Sequence, residues 1–102
     1  MEKNGPPCLS PAEAQRKIRL ILREGTLDVS VHCRRRMRER SVDDLDLVHV
    51  LENGHIIREA EWDSDHNKWK YRVEGADIEG EELTAITVIF EADFSLLIVT
   101  VF

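Results

Sequence analysis

At Gly54 the hydrophobic period of this chain changes from about 3.6 to 2, and that change constrains the architecture more than any other feature. Up to Asn53 the apolar residues recur at three- and four-residue steps, as on one face of a helix. Beyond Gly54 they alternate with polar ones, as along a half-buried strand. A block of helices followed by a block of short-looped strands reads as an α+β domain.

The helical block divides at its own punctuation. Residues 1–9, broken by Gly5-Pro6-Pro7, read as a flexible arm ahead of one domain over residues 10–102. Ser10-Pro11-Ala12-Glu13 is a helix start: serine caps, proline suits the first position and Glu13 closes a capping box. This helix runs to about Glu24, with Ile18, Ile21 and Leu22 inward and Gly25 at its end. Thr26 to Ser30 is either a strand or an extended link. Ser30 caps a second helix over 31–40, where Cys33 and Met37 share one face. Ser41 is expected to cap a third, with Val42, Leu45, Val48 and Leu51 inward and Asn53-Gly54 ending it.

Four strands follow: His55 to Trp62, Lys68 to Glu74, Leu83 to Glu91 and Ser95 to Phe102. In the second, Trp69, Tyr71 and Val73 share one face while Lys68, Lys70 and Arg72 share the other. The expected fold is therefore N-terminal helices packed on a four-stranded antiparallel meander.

Length and composition agree with a single buried core: 102 residues, 42% of them hydrophobic, fit one domain. The longest purely apolar run, Leu96 to Val99, is far short of the ~20 residues needed to cross a bilayer. The first residues lack an apolar signal region, so a cytoplasmic location without membrane contact is expected. Cys8 and Cys33 are too few for a disulfide scaffold and form no zinc-type pair. No Gly-rich phosphate loop, nucleophile elbow or His-Glu-x-x-His motif is present, which disfavours nucleotide hydrolases, esterases and zinc proteases.

The formal net charge of −6 suggests a chain that avoids nucleic acid, but the charge is unevenly placed. Residues 16–40 carry nine basic and three acidic side chains, while residues 41–102 carry four basic and fifteen acidic ones. Any phosphate-facing surface is thus expected on the helix from His32 to Arg40.

On that helix His32, Arg36 and Arg40 recur at four-residue steps and form one stripe beside Cys33 and Met37. Histidine as a residue type serves as acid or base, and arginines hold a phosphate and stabilise charge developing on it. These three are the candidate catalytic residues, with Arg34, Arg35 and Arg38 as candidate nucleic-acid contacts. The structural alternative has His32 bonding to backbone and Arg36 and Arg40 pairing with the acidic half. Arg35 and Glu39 are placed as an ordinary solvated ion pair.

Other clusters invite plainer readings. Asp63, Asp65, Asn67 and Glu74 copy the spacing of a calcium-binding EF-hand, but Lys68 stands where glycine is needed and the flanks are strands. A hairpin loop is expected there, and no metal or other cofactor. Trp62, Trp69 and Tyr71 lie near Lys68, Lys70 and Arg72, a mixture that can stack single-stranded nucleic acid. The alternation sends the rings to the face opposite the bases, and thus into the core.

The pattern Ser30-x-His32-Cys33-x-x-Arg36-Met37-x-Glu39-Arg40-x-Val42 resembles the His-Ala-x-x-Arg-Met-x-Glu-Arg-Gly-Ile signature of small prokaryotic domains of unknown function related to the RelE/ParE toxin superfamily. The likeness extends over about residues 27–102, through Leu51-x-Asn53-Gly54 and the final Ile98 to Phe102 strand. It implies a helical layer on a four-stranded antiparallel sheet. It also implies relatives that cleave RNA or poison other targets and are held inactive by an antitoxin. Cys33 and Ser41 depart from the signature's Ala and Gly.

Two functions follow as expectations. One is a RelE-like, RNA-directed protein, in its strongest form a metal-independent toxin-type endoribonuclease with RNA and an antitoxin as partners. The other is a non-enzymatic module that uses the same fold to bind a protein, with the C-terminal strand ending at Phe102 accepting a partner strand or helix.

Overall fold

A computed structural model of the chain describes residues 7–102; most of the arm expected over 1–9 lies outside the described residues. The elements are α1 (Pro11–Glu24), β1 (Thr26–Val29), α2 (Val31–Arg40), α3 (Asp44–Asn53), β2 (Glu61–Asp63), β3 (Lys68–Ala76), β4 (Glu82–Phe90) and β5 (Ser95–Val101). Among the described residues no helix is long and apolar enough to cross a membrane.

The helices begin and end where local chemistry dictates. In α1 the Ser10 hydroxyl accepts from the Glu13 N–H while the Glu13 carboxylate accepts from the Ser10 N–H, a closed capping box. The two bonds to Ser10 hold the Glu13 carboxyl below its usual range. At the end of α1 the Gly25 N–H donates to the Ile21 carbonyl, and glycine is required there because a Cβ would overlap the carbonyl oxygen of Phe94, just before β5. Ser30 caps α2 through Cys33 N–H at 3.0 Å.

The third helix departs from its expected cap and face. Its N-cap is Asp43, paired reciprocally with Asp46, and Ser41 instead closes α2 in the left-handed region at φ 58°. The intervening turn shifts the helical register. Leu47, Val50 and Leu51 are buried, whereas Leu45 is 67% exposed.

The sheet has five strands rather than four, in the order β1-β5-β4-β3-β2, and it is mixed rather than antiparallel throughout. The additional strand is β1, which runs parallel to β5 with Leu27 opposite Leu96 and Val29 opposite Ile98. Two inward apolar residues are too few to show a period in sequence, yet they suffice to dock the segment against a ready-made strand. A parallel neighbour requires a long crossover, and α2 and α3 with the strands that follow supply it.

The strand expected over His55 to Trp62 is reduced to a single bridge, His55 with Glu74, and three paired residues at β2. Between them the chain leaves the sheet: the Ile56 N–H donates to the Gln15 side chain on α1 at 2.8 Å, and Ile57 is 73% exposed. The bonding needs of that backbone are met by a helix side chain, so alternation alone misjudged it.

All three helices contribute to one core on one side of the sheet. Ala14, Ile18 and Ile21 of α1, Cys33 and Met37 of α2, and Leu47, Val50 and Leu51 of α3 meet Tyr71, Val73, Leu83, Ala85, Leu96, Ile98 and Val101 of the strands. The opposite side of the sheet is left as an open face.

A candidate nucleic-acid interface

Strand register determines which side chains reach the open face. Tyr71 and Val73 are buried on the helical side, so their neighbours Lys70, Arg72 and Glu74 project the other way. Arg72 stands opposite Ile86, and Ile86 stands opposite Thr100, which places the three in one row across β3, β4 and β5. An extra residue in β5 beside the Ile86/Thr87 step restores Ile98 to the core while keeping Thr100 outward.

α2 lies against β5, and its first turn meets the end of that strand past the point where β1 stops. Ser30 makes the junction: its N–H donates to the Ile98 carbonyl at 3.0 Å and its hydroxyl to the Val99 carbonyl at 2.8 Å. His32 is thereby carried to the sheet margin, where its Nε2 lies 3.2 Å from Thr100 Oγ1. The row then reads His32, Thr100, Ile86, Arg72, running from helix to β3.

The stripe read from sequence is present, and its members have different surroundings. His32 and Arg40 are exposed and Arg36 is half-buried. Arg36 approaches the Glu39 carboxylate at 3.7 Å, so Glu39 pairs with Arg36 and not with Arg35. Arg40 extends to the Glu82 carbonyl at the start of β4, 3.5 Å away. Arg34 turns from the stripe and binds Asp44 in the first turn of α3. Arg35 and Arg38 are exposed, and among the described residues neither has an ion pair. Cys33 is fully buried, and that burial raises its thiol pKa to about 11, which removes it as a nucleophile.

The four basic residues of the acidic half also gather on the open face. Lys68 lies over the Phe90 ring at 5.6 Å, and Arg72 over the Phe102 ring at 4.9 Å. Arg58 and Arg72 approach the same Glu74 oxygen, at 3.2 and 3.5 Å. Lys70, Arg58, Arg72 and Ile86 line a small cavity of about 30 Å³ together with Glu59 and Glu61. The sequence reading confined phosphate contacts to α2, considered Arg72 only beside the aromatic rings, and did not place Thr100 or Phe102 near either. The available signal was the Lys68, Lys70, Arg72 alternation; the partner strands were expected, but their register and the seating of His32 on Thr100 were not legible.

The remaining candidates are structural. Trp62 and Trp69 form an edge-to-face pair with centroids 5.2 Å apart, and the buried Tyr71 accepts the Leu9 N–H at 2.9 Å. Burial raises the Tyr71 phenol above its usual pKa. The Asp63 carboxylate is committed to its own hairpin, accepting from the Asp65 and His66 N–H groups and lying 2.9 Å from His66 Nδ1. Burial works against its charge, but the bonds from His66 and Asp65 outweigh this and hold its pKa below the usual range. Among the described residues no three His, Cys, Asp or Glu side chains converge as a metal site.

A family model described as a domain of unknown function (DUF4258) matches residues 29–102, from the last residue of β1 through Phe102. No curated protein and no solved structure matches the chain.

Proposed function

Since the chain belongs to the DUF4258 family, which carries no assigned activity, we propose from its own surface that it is an RNA-directed protein acting as a metal-independent endoribonuclease. The observation that carries this reading is His32 held against Thr100 at the margin of the open face, in one row with Arg72. An acid/base side chain is thereby flanked by Arg36 and Arg40 on the helix and by Arg72 across the sheet.

The chemistry needs few parts. His32 takes the proton of a ribose 2′-hydroxyl, whose oxygen attacks the adjacent phosphorus while the bond to the 5′-oxygen of the next nucleotide breaks. The proton returns to that leaving oxygen, so the products are a cyclic phosphate and a free 5′-hydroxyl. Arg36 and Arg40 stabilise the charge gathering on the phosphate. Arg35 and Arg38 hold neighbouring phosphates, and Arg34 joins them by exchanging Asp44 for phosphate, a role that sets affinity rather than sequence choice. A relationship to RelE/ParE toxins, with a cytoplasmic site of action and an antitoxin partner, belongs to the same proposal. It rests on the His32 to Val42 pattern. Expression of the chain alone should arrest growth, and His32→Ala or Arg36→Ala should relieve the arrest. Harmless accumulation of the folded wild type would refute the toxin reading.

A second reading, a protein-binding module without catalysis, is favoured by the acidic half of the chain, where residues 41–102 carry fifteen acidic and four basic side chains. It predicts retention of a specific protein partner and intact RNA.

A further inference from the structure

The partner strand expected at the C-terminal strand finds its edge taken: β5 lies between β1 and β4, and past Ile98 the Ser30 cap and His32 of α2 close on it. What this end of β5 leaves open is a ring. Phe102 is 39% exposed, while its N–H and carbonyl are both bonded to Thr84 of β4, at 3.0 and 2.8 Å.

Val101 is buried on the helical side, so alternation puts Phe102 on the open face with Thr100, the residue that seats His32. Two strand positions separate them, roughly 7 Å. Arg72 arrives from the other direction. Its register partner on β4 is Ile86, not Thr84, so it reaches diagonally over β4 to set its guanidinium carbon 4.9 Å from the centre of the Phe102 ring. Glu74 steadies it, with Nε 3.5 Å from the carboxylate oxygen that Arg58 also approaches. That carboxylate offsets the charge of the guanidinium, and what Arg72 presents at the ring is its planar face. An aromatic side chain serving stability alone belongs beneath this sheet with Tyr71; Phe102 instead stands at the surface, one strand step from the acid/base residue.

We infer that Phe102 and Arg72 form a stacking subsite for one unpaired nucleobase, that of the nucleotide adjoining the bond at His32. The inference rests on the RNA-directed reading of the His32 row and adds to it the kind of RNA that the row accepts. Arg36 and Arg40 take the phosphate, and the ring with its guanidinium takes the base. Every base has a π face, so the subsite tolerates different sequences. It selects unpaired RNA, because a base inside a duplex already has both faces covered by its neighbours.

The test uses the full chain and a labelled 2′-O-methyl hexanucleotide, which binds without being cleaved. Affinity is read by fluorescence anisotropy and the Phe102 ring resonances by NMR. An abasic residue is placed at each position of the probe in turn, so the protein itself is unaltered. One position should weaken binding by about tenfold, and the parent probe should shift the Phe102 ring resonances. Pairing the probe with its complement should weaken binding as well. Phe102→Leu, which keeps an apolar side chain, should lose about the same factor and no longer distinguish the abasic probe, while Phe102→Tyr retains both. Equal binding of all abasic probes, unmoved ring resonances, affinity unchanged by pairing, or wild-type behaviour of Phe102→Leu would overturn the subsite and leave the RNA reading standing. Absence of both probe binding and RNA cleavage by the wild type would overturn the two together.

Discussion

His32 and Arg72 stand at opposite ends of one row across the open face of the sheet, with Thr100 and Ile86 between them. Two strand-to-strand steps separate Arg72 from Thr100, roughly 10 Å at the usual spacing. The guanidinium is thus positioned by sheet register, and the acid/base group by the junction of α2 with β5, rather than either by a loop.

Thr100 should matter because, among the described residues, it is the hydrogen-bonding contact that holds the His32 ring at the sheet margin. Thr100→Val removes the hydroxyl with little change in shape. Loss of one such bond should lower RNA cleavage by roughly two- to tenfold, while Thr100→Ser retains most of it. Thermal unfolding of both variants should match the wild type, which separates positioning from folding.

The face of α3 gives a stability test. Leu47 is fully buried, whereas Leu45, expected inward, is 67% exposed. Leu47→Ala should cost about 2–5 kcal/mol in urea unfolding. Leu45→Ala should stay within about 0.5 kcal/mol of the wild type.

Those two leucines also show how far the sequence could be read. The capping box at Ser10, the ends of α1 and α2, and the buried Cys33/Met37 face rest on contacts within four residues, and all were legible. The helix stripe of His32, Arg36 and Arg40 was legible for the same reason. The register of α3 was misjudged because Ser41 and Asp43 are both competent caps, and only the turn geometry separates them. The fifth strand, the break at Ile56 and the seating of His32 on Thr100 depend on partners dozens of residues away. No local pattern encodes those partners.

Ser41 offers a gain in stability. It occupies the left-handed region at φ 58°, where a side chain is unfavourable and glycine is not. Ser41→Gly should stabilise the protein by up to about 1 kcal/mol, and Ser41→Val should destabilise it, both measured by chemical denaturation.

Acid should weaken the β2–β3 hairpin through Asp63. Its pKa is lower folded than unfolded, so the folded state binds fewer protons at this site. The stability it contributes is fully present above the unfolded carboxyl pKa and is lost as pH falls through the folded one. A melting temperature measured from neutral to acidic pH should therefore fall less steeply for Asp63→Asn than for the wild type.

The central claim is tested most directly by incubating the purified chain with a labelled single-stranded RNA in excess EDTA and resolving the products. The account predicts cleavage by the wild type, products ending in a cyclic phosphate, an intact all-deoxy analogue, and loss of cleavage in His32→Ala at an unchanged melting temperature. Intact RNA with the wild type, or equal cleavage by His32→Ala, would contradict it.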